Sequence, residues 1–152
     1  MARAPFQVSV FPFRHSTPDA EYLVFQRSDH LYWQCIAGGG EDAESPLEAA
    51  KREAFEEAGI PVTCPYLSLQ TTASAAITEF KDANLWDSQL LVIPIRYFGV
   101  RIDGLEIQLS HEHLAYRWLS YVAAQALLKW DSDKTALWEL EQRLNRGEMP
   151  ML

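Results

Sequence analysis

The chain has no run of about 18 apolar residues, the minimum for a membrane-spanning helix, and Arg3, Gln7 and Arg14 break up the N-terminus where a secretory leader would need an apolar core. Neither a membrane partner nor a cleaved leader is expected. Cysteine is scarce: Cys35 and Cys64 are the two, and they have no metal-ligand spacing. Both fall in strand-like segments, so buried free thiols in a reducing compartment are expected, and with them a cytoplasmic setting. Positive charge is short, with 13 Lys and Arg against 21 Asp and Glu for a formal net charge of −8. Non-specific nucleic-acid binding wants a basic footprint, so nucleic acid is not an expected partner. Internal repeats, low-complexity segments and linkers are absent. What is present is enough for one core: 152 residues with 48% hydrophobic content predict a single domain over 1–152. Nothing in the pattern sets an oligomeric state.

Periodicity gives a coarse plan. Pro5–Phe13 alternates as a strand at Phe6, Val8 and Val10, followed by a polar turn over 14–20. Glu21–Arg27 is a second strand with Leu23 and Phe25 on one face, and Trp33–Ile36 a short strand feeding Gly38-Gly39-Gly40. Val62–Ala73 reads as extended, Thr78–Ser88 as a polar loop carrying Phe80 and Trp86, and Gln89–Phe98 as a dense apolar strand in which Pro94 marks an edge or a bulge. Gly104 marks a turn, and His113–Leu119 is another strand. Tyr121–Leu128 and Ser132–Arg146 are helices, the second capped by Asp131 or Ser132 and striped by Leu137, Leu140 and Leu144. A mixed sheet with helices on both faces, an α/β/α sandwich, follows.

The most informative segment is 38–60, GGGEDAESPLEAAKREAFEEAGI. Ser45-Pro46-Leu47-Glu48 is a helix start: Ser as N-cap, Pro at the first helical position, Glu three after the cap. Gly59, Ile60 and Pro61 form the stop, so a helix over 46–58 is predicted. At about 100° per residue Arg52, Glu56, Glu53 and Glu57 share one stripe. Leu47, Ala50, Ala54, Phe55 and Ala58 lie across from it, and that side is expected to be buried. The acidic stripe is poorly placed for stability. Glu53 and Glu57 are like charges at i,i+4, and Glu56 and Glu57 sit where the helix dipole disfavours anions. A solvated acidic face would be the ordinary reading of such charges alone. A bound hard cation, Mg²⁺ or Mn²⁺ rather than Zn²⁺, offsets the repulsion and suits an oxygen-only ligand set.

The spacing Gly38, five residues, Glu44, seven residues, Arg52-Glu53-Ala54, then Glu56-Glu57 and Gly59-Ile60 resembles the signature box of the Nudix hydrolases. These enzymes cut nucleoside diphosphates linked to another group. Ala54 stands where a bulky aliphatic is usual, Ile36-Ala37 where Pro-Gly is common, and Ala43 where Gly is common; no carboxylate is lost. The resemblance implies the sandwich fold with the box as loop-helix-loop. It also implies metal ligation by Glu53, Glu56 and Glu57, with Glu44 and the Gly38 carbonyl as auxiliary members, and Arg52 orienting a box glutamate. Residues 111–119 are similar to the segment that supplies an extra carboxylate in many members, which makes Glu112 a further ligand or the general base, in competition with Glu53. With the box, residues 26–36 and 111–130 resemble the family's bacterial pyrophosphohydrolases of pterin and nucleoside triphosphates.

Three features sit beside that reading. The glycine triplet lacks the Lys-Ser/Thr of a nucleotide-binding P-loop and is expected to be a tight turn, with Gly39 near substrate. His111-Glu112-His113 is not His-Glu-x-x-His, so the histidines are expected at the surface or hydrogen-bonded. Trp33, Phe80 and Trp86 could stack on a base or pterin ring, or fill the core. The expected reaction is metal-assisted attack of water on a phosphorus of a nucleoside or pterin triphosphate, releasing pyrophosphate. Dinucleoside polyphosphates or nucleotide sugars are the alternative substrates, and a non-catalytic ligand-binding module the alternative class.

Overall fold

The computed structural model describes residues 3–15, 18–148 and 150; Ser16 and Thr17, within the expected 14–20 turn, lie outside the described residues. The strands are β1 (Arg3–His15), β2 (Ala20–Arg27), β3 (Trp33–Gln34), β4 (Ile36–Glu41), β5 (Tyr66–Ala76), β6 (Val92–Arg101) and β7 (His113–Leu119). The helices are α1 (Pro46–Ala58), α2 (Tyr121–Leu127) and α3 (Asp131–Asn145). One mixed sheet runs β3-β2-β1-β6-β5, with β4 also pairing β1 and β7 pairing β2. The β1–β6 pair is parallel and the other named pairs are antiparallel.

The alternation in β1 and β2 builds two cores. Val8, Val10, Leu23 and Phe25 join the alanines of α1 on one face, while Phe11, Phe13, Tyr22 and Val24 meet Leu137 and Leu140 of α3 on the other. This is the expected α/β/α sandwich. No helix among the described residues is long and apolar enough to cross a membrane.

Several local expectations are corrected. The strand expected over Val62–Ala73 starts at Tyr66 and runs to Ala76, because Val62–Cys64 form a turn and bend. The Gln89–Phe98 strand begins at Val92. Its strand is interior, yet Pro94 pairs only with Ser74 of β5, since pairing to β1 begins at Ile95; the edge is local. The 78–88 loop contains two short 3₁₀ turns, Ile77–Glu79 and Ala83–Leu85. Neither cysteine lies in a strand: Cys35 is buried in the break between β3 and β4, and Cys64 is half-buried in a bend, both free. Helix α3 starts after Trp130 with no side-chain cap, because Asp131 and Ser132 already lie within it.

Candidate active site

Helix α1 forms as its sequence dictates. The Ser45 side chain accepts from the Glu48 amide, the Glu48 side chain accepts from the Ser45 amide, and Gly59 closes the helix at φ 71°. Its orientation differs from expectation. Ala49, Ala50, Ala54, Ala58 and Glu57 are buried, whereas Leu47 and Phe55 are 40% and 57% exposed. The buried face is centred beside the acidic stripe rather than opposite it, because the helix packs on β4 and β1. Glu53 and Glu57 are thereby pressed towards the sheet, and Glu56 stays outside with its side chain 54% exposed.

The glycine triplet is not a tight turn. Gly38 to Gly40 lie in β4, and Gly38 and Gly39 stand in register with Val8 and Gln7 of β1. They are glycines because of what passes over them. A Cβ on Gly38 would lie 2.1 Å from Glu53 Cδ, and one on Gly39 would lie 1.8 Å from Arg3 Nε. Each seats one charged group against bare backbone.

Arg52 is the hub of the box. Its Nε donates to Glu44 Oε2 at 2.8 Å, and its Nη2 donates to Glu44 Oε1 at 3.0 Å and to the Gly39 carbonyl at 2.8 Å. Its Nη1 reaches Glu53 at 3.1 Å and Glu56 at 3.3 Å. Glu44 also accepts from the Glu41 amide, so in this arrangement it fixes Arg52 and the loop. The Arg52 contact holds the Glu44 carboxyl below its ordinary value.

Glu57 and Glu112 come together through backbone ties. The Ser110 amide donates to the Glu57 carbonyl at 3.1 Å, the Gln108 amide to Ala58, and the Ser28 amide to the Glu112 carbonyl at 3.0 Å. The segment before β7 is thus anchored to the end of α1, and the Glu112 carboxyl lies within hydrogen-bonding reach of Glu57. Glu57 Oε2 is buried with no hydrogen-bond partner. Burial, then Glu53 and Glu112, push the Glu57 carboxyl up to about 10. Burial lifts Glu53 to about 7 against the opposing pull of Arg52. A buried carboxylate oxygen without a donor, close to Glu53 and Glu112, is a hard acceptor that a divalent ion would satisfy. Among the described residues no three His, Cys, Asp or Glu side chains already form a gathered metal set; Glu53 and Glu56 each accept from Arg52.

His111 is exposed, as expected. His113 is not: it is buried, its ring 5.1 Å from Phe25, with Nδ1 unpartnered and burial lowering its pKa. The alternation of β7 turns it into the core while Glu112 stays outside.

A cleft runs from Glu112 across the sheet. Its narrow part, about 310 Å³, is lined by Gly38, Gly39, Glu112, His111, Arg3 and Arg27. The wide part, about 680 Å³, shares Gln7, Arg27, Ala37 and Phe80 with it and reaches Tyr32, Trp130, Gln34, Tyr97 and Asp133. Of the three aromatics singled out from sequence, Phe80 lines both parts. Trp33 instead packs against the α3-side core, with the Arg117 guanidinium 5.9 Å from its ring. Trp86 donates from Nε1 to the Arg3 carbonyl at 2.8 Å, and its ring lies 6.0 Å from Phe80. Sequence reasoning missed Tyr32, Trp130, Gln34 and Asp133. Asp133 is buried, accepts from the Tyr97 hydroxyl at 2.8 Å, and burial raises its pKa. It missed Gln7 and Ser9 too, although their alternation with Phe6, Val8 and Val10 was a usable signal for one polar face of β1.

The NUDIX domain family matches residues 5–138. The chain is 32% identical over 127 residues to the asymmetrical bis(5'-nucleosyl)-tetraphosphatase of Sus scrofa, covering 82% of this chain and 80% of that protein. It is 29% identical over 134 residues to the dihydroneopterin triphosphate diphosphatase of Escherichia coli, covering 86% and 89%. A solved structure of a Listeria monocytogenes protein assigned to the NUDIX hydrolases superposes with TM-score 0.87 at 38% identity, covering 98% of this chain and 100% of that one. The E. coli dihydroneopterin triphosphate pyrophosphohydrolase gives TM-score 0.76 at 26% identity, covering 94% and 99%. With the family match spanning residues 5–138 and these relatives matched over most of their length, the chain belongs to the NUDIX family, as a pyrophosphohydrolase.

Proposed function

We propose that this protein hydrolyses a diphosphate linkage in a nucleoside or pterin triphosphate, using Mg²⁺ or Mn²⁺, and releases pyrophosphate and the monophosphate. The observation that carries this reading is the buried, donorless Glu57 oxygen close to Glu53 and Glu112, with Glu112 lining the cleft. Glu57 and Glu53 would hold the ion, with Glu56 completing the set and the Gly38 carbonyl near it. The ion would neutralise phosphate oxygens and acidify a water molecule. Arg52 fixes Glu53 and Glu56 in orientation through its fork. Glu112, arriving from a separate segment, takes the proton of the attacking water, and Glu53 is the competing base. Oxygen of that water bonds to phosphorus, the bond to the bridging oxygen breaks, and pyrophosphate leaves with the electron pair. Phe80 at the junction of the two parts of the cleft offers a face for the ring, and Gly39 gives the Arg3 guanidinium room against the strand. The free thiols of Cys35 and Cys64 suit a cytoplasmic setting.

A second reading, hydrolysis of a dinucleoside polyphosphate, is supported by the relative from Sus scrofa and by the wide end of the cleft, where Tyr32 stands edge-on to Trp130 at 5.4 Å. Incubation with Mg²⁺ and dihydroneopterin triphosphate, each dNTP or diadenosine tetraphosphate, with products identified by ³¹P NMR, separates the readings. Pyrophosphate as the main product supports the first. Exclusive cleavage of the dinucleotide to a mononucleotide pair sinks it.

A further inference from the structure

We infer that the Arg3 guanidinium is a phosphate-binding group of this cleft, seated over Gly39 and held against Phe80 to take an oxyanion of the polyphosphate chain. The inference deepens the proposed function, since it concerns how an acidic protein with formal charge −8 holds a polyanion at the same site.

Two arginines line the narrow part of the cleft. Arg27 is already neutralised: Nε and Nη2 each donate to Asp29 at 2.6 Å. Arg3 is not. Among the described residues its side chain makes one hydrogen bond, from Nη2 to the neutral Gln7 Oε1. Its Nε is buried without an acceptor. Glu53, Asp82 and Glu41 favour its charge only through space, and burial, the larger effect, lowers its pKa. A half-buried guanidinium with donors unspent and no carboxylate partner is in deficit of anionic hydrogen bonding. A phosphate oxyanion matches that deficit in charge and in fork geometry.

The surroundings preorganise the group. Strand β1 shifts register between Arg3 and Gln7 against β4, and such an irregularity re-aims a side chain. The guanidinium crosses Gly39 so closely that a Cβ there would lie 2.0 Å from Cζ. It stacks 5.0 Å from the Phe80 ring centroid, and the Trp86 indole fixes its backbone carbonyl. Gly38 seats the Glu53 carboxylate and Gly39 the Arg3 guanidinium at successive positions of one strand, and both glycines line the narrow part of the cleft with Arg3 and Glu112.

The alternative is a purely structural staple between β1 and the 77–90 segment. Calorimetric titration with methylenediphosphonate, a non-hydrolysable diphosphate, in Mg²⁺ separates the two, with a thermal melt of each variant in the absence of ligand. Arg3→Gln should weaken binding about 10- to 100-fold, the range for losing a hydrogen bond to a charged group. Arg3→Lys should recover part of it, and Gly39→Ala, which displaces the guanidinium, should resemble Arg3→Gln. Wild-type affinity in a normally melting Arg3→Gln protein overturns the inference. If Arg3→Gln also melts early, Arg3→Lys decides: recovered affinity supports the phosphate role, and affinity as poor as that of the Gln variant overturns it. Wild-type protein that turns over no triphosphate or dinucleoside polyphosphate, yet binds methylenediphosphonate through Arg3, would overturn the proposed function and leave this inference standing.

Discussion

Metal affinity should climb steeply with pH because Glu57 must lose a proton to become a ligand. Its carboxyl is pushed up to about 10 by burial and by Glu53 and Glu112. Ionising it at pH 7 costs about 4 kcal/mol, at about 1.4 kcal/mol per pH unit below that value. The apparent Mg²⁺ or Mn²⁺ affinity should therefore rise about tenfold per pH unit above 7, with release of about one proton per ion bound. Glu53, at about 7, steepens the slope at lower pH. The assay is isothermal titration with Mg²⁺ at pH 6.5, 7.5 and 8.5 in two buffers of different ionisation enthalpy, from which both affinity and proton release follow. Glu57→Gln keeps size and helix propensity, and it should remove most of the pH slope above 7 and lower the maximal rate by roughly 10²-fold or more, about 2.7 kcal/mol of barrier. Affinity that is flat from pH 7 to 8.5 in the wild-type protein, with no proton release, would refute the reasoning.

Other expectations follow from the same geometry. Both Glu53 and Glu57 hold protons more tightly folded than at the ordinary 4.5. Metal-free stability should therefore be greatest below that value and decline as pH rises through about 7 and towards about 10, which thermal melts in EDTA check; Mg²⁺ should offset the decline. Gly38→Ala puts a Cβ 2.1 Å from Glu53 Cδ, so Glu53 must move; turnover should fall by roughly 10²-fold while circular dichroism still shows a folded protein. Glu112→Gln should depress the maximal rate in a way added Mg²⁺ does not restore, and Glu53→Gln should be partly rescued by metal. The opposite pattern makes Glu53 the base.

What the sequence reveals here is local. The caps of α1 involve residues within a few positions of one another, so Ser45, Glu48 and Gly59 could be read directly, and the alternation of β1 and β2 sorted the two cores. The face that α1 buries depends on what it packs against, which is why Leu47 and Phe55 were expected inside and Glu57 outside. The glycine triplet shows the same limit. A run of three glycines suggests a turn, but here the residues are small because Glu53 and Arg3 pass over a strand, and those partners are remote in sequence. Spacing pointed to the box carboxylates, and resemblance to Glu112. Arg3 and Asp133 were not, because each reaches the cleft only when strand order brings the N-terminus, the 77–90 segment and the start of α3 to one face of the sheet.

The most direct measurement is the initial rate of triphosphate hydrolysis after EDTA treatment, followed through a Mg²⁺ titration with products resolved by ³¹P NMR. The account predicts no turnover without metal, saturable recovery with Mg²⁺, and pyrophosphate with the monophosphate as products. Full hydrolysis in excess EDTA, or Mg²⁺-dependent release of inorganic phosphate alone, would contradict it.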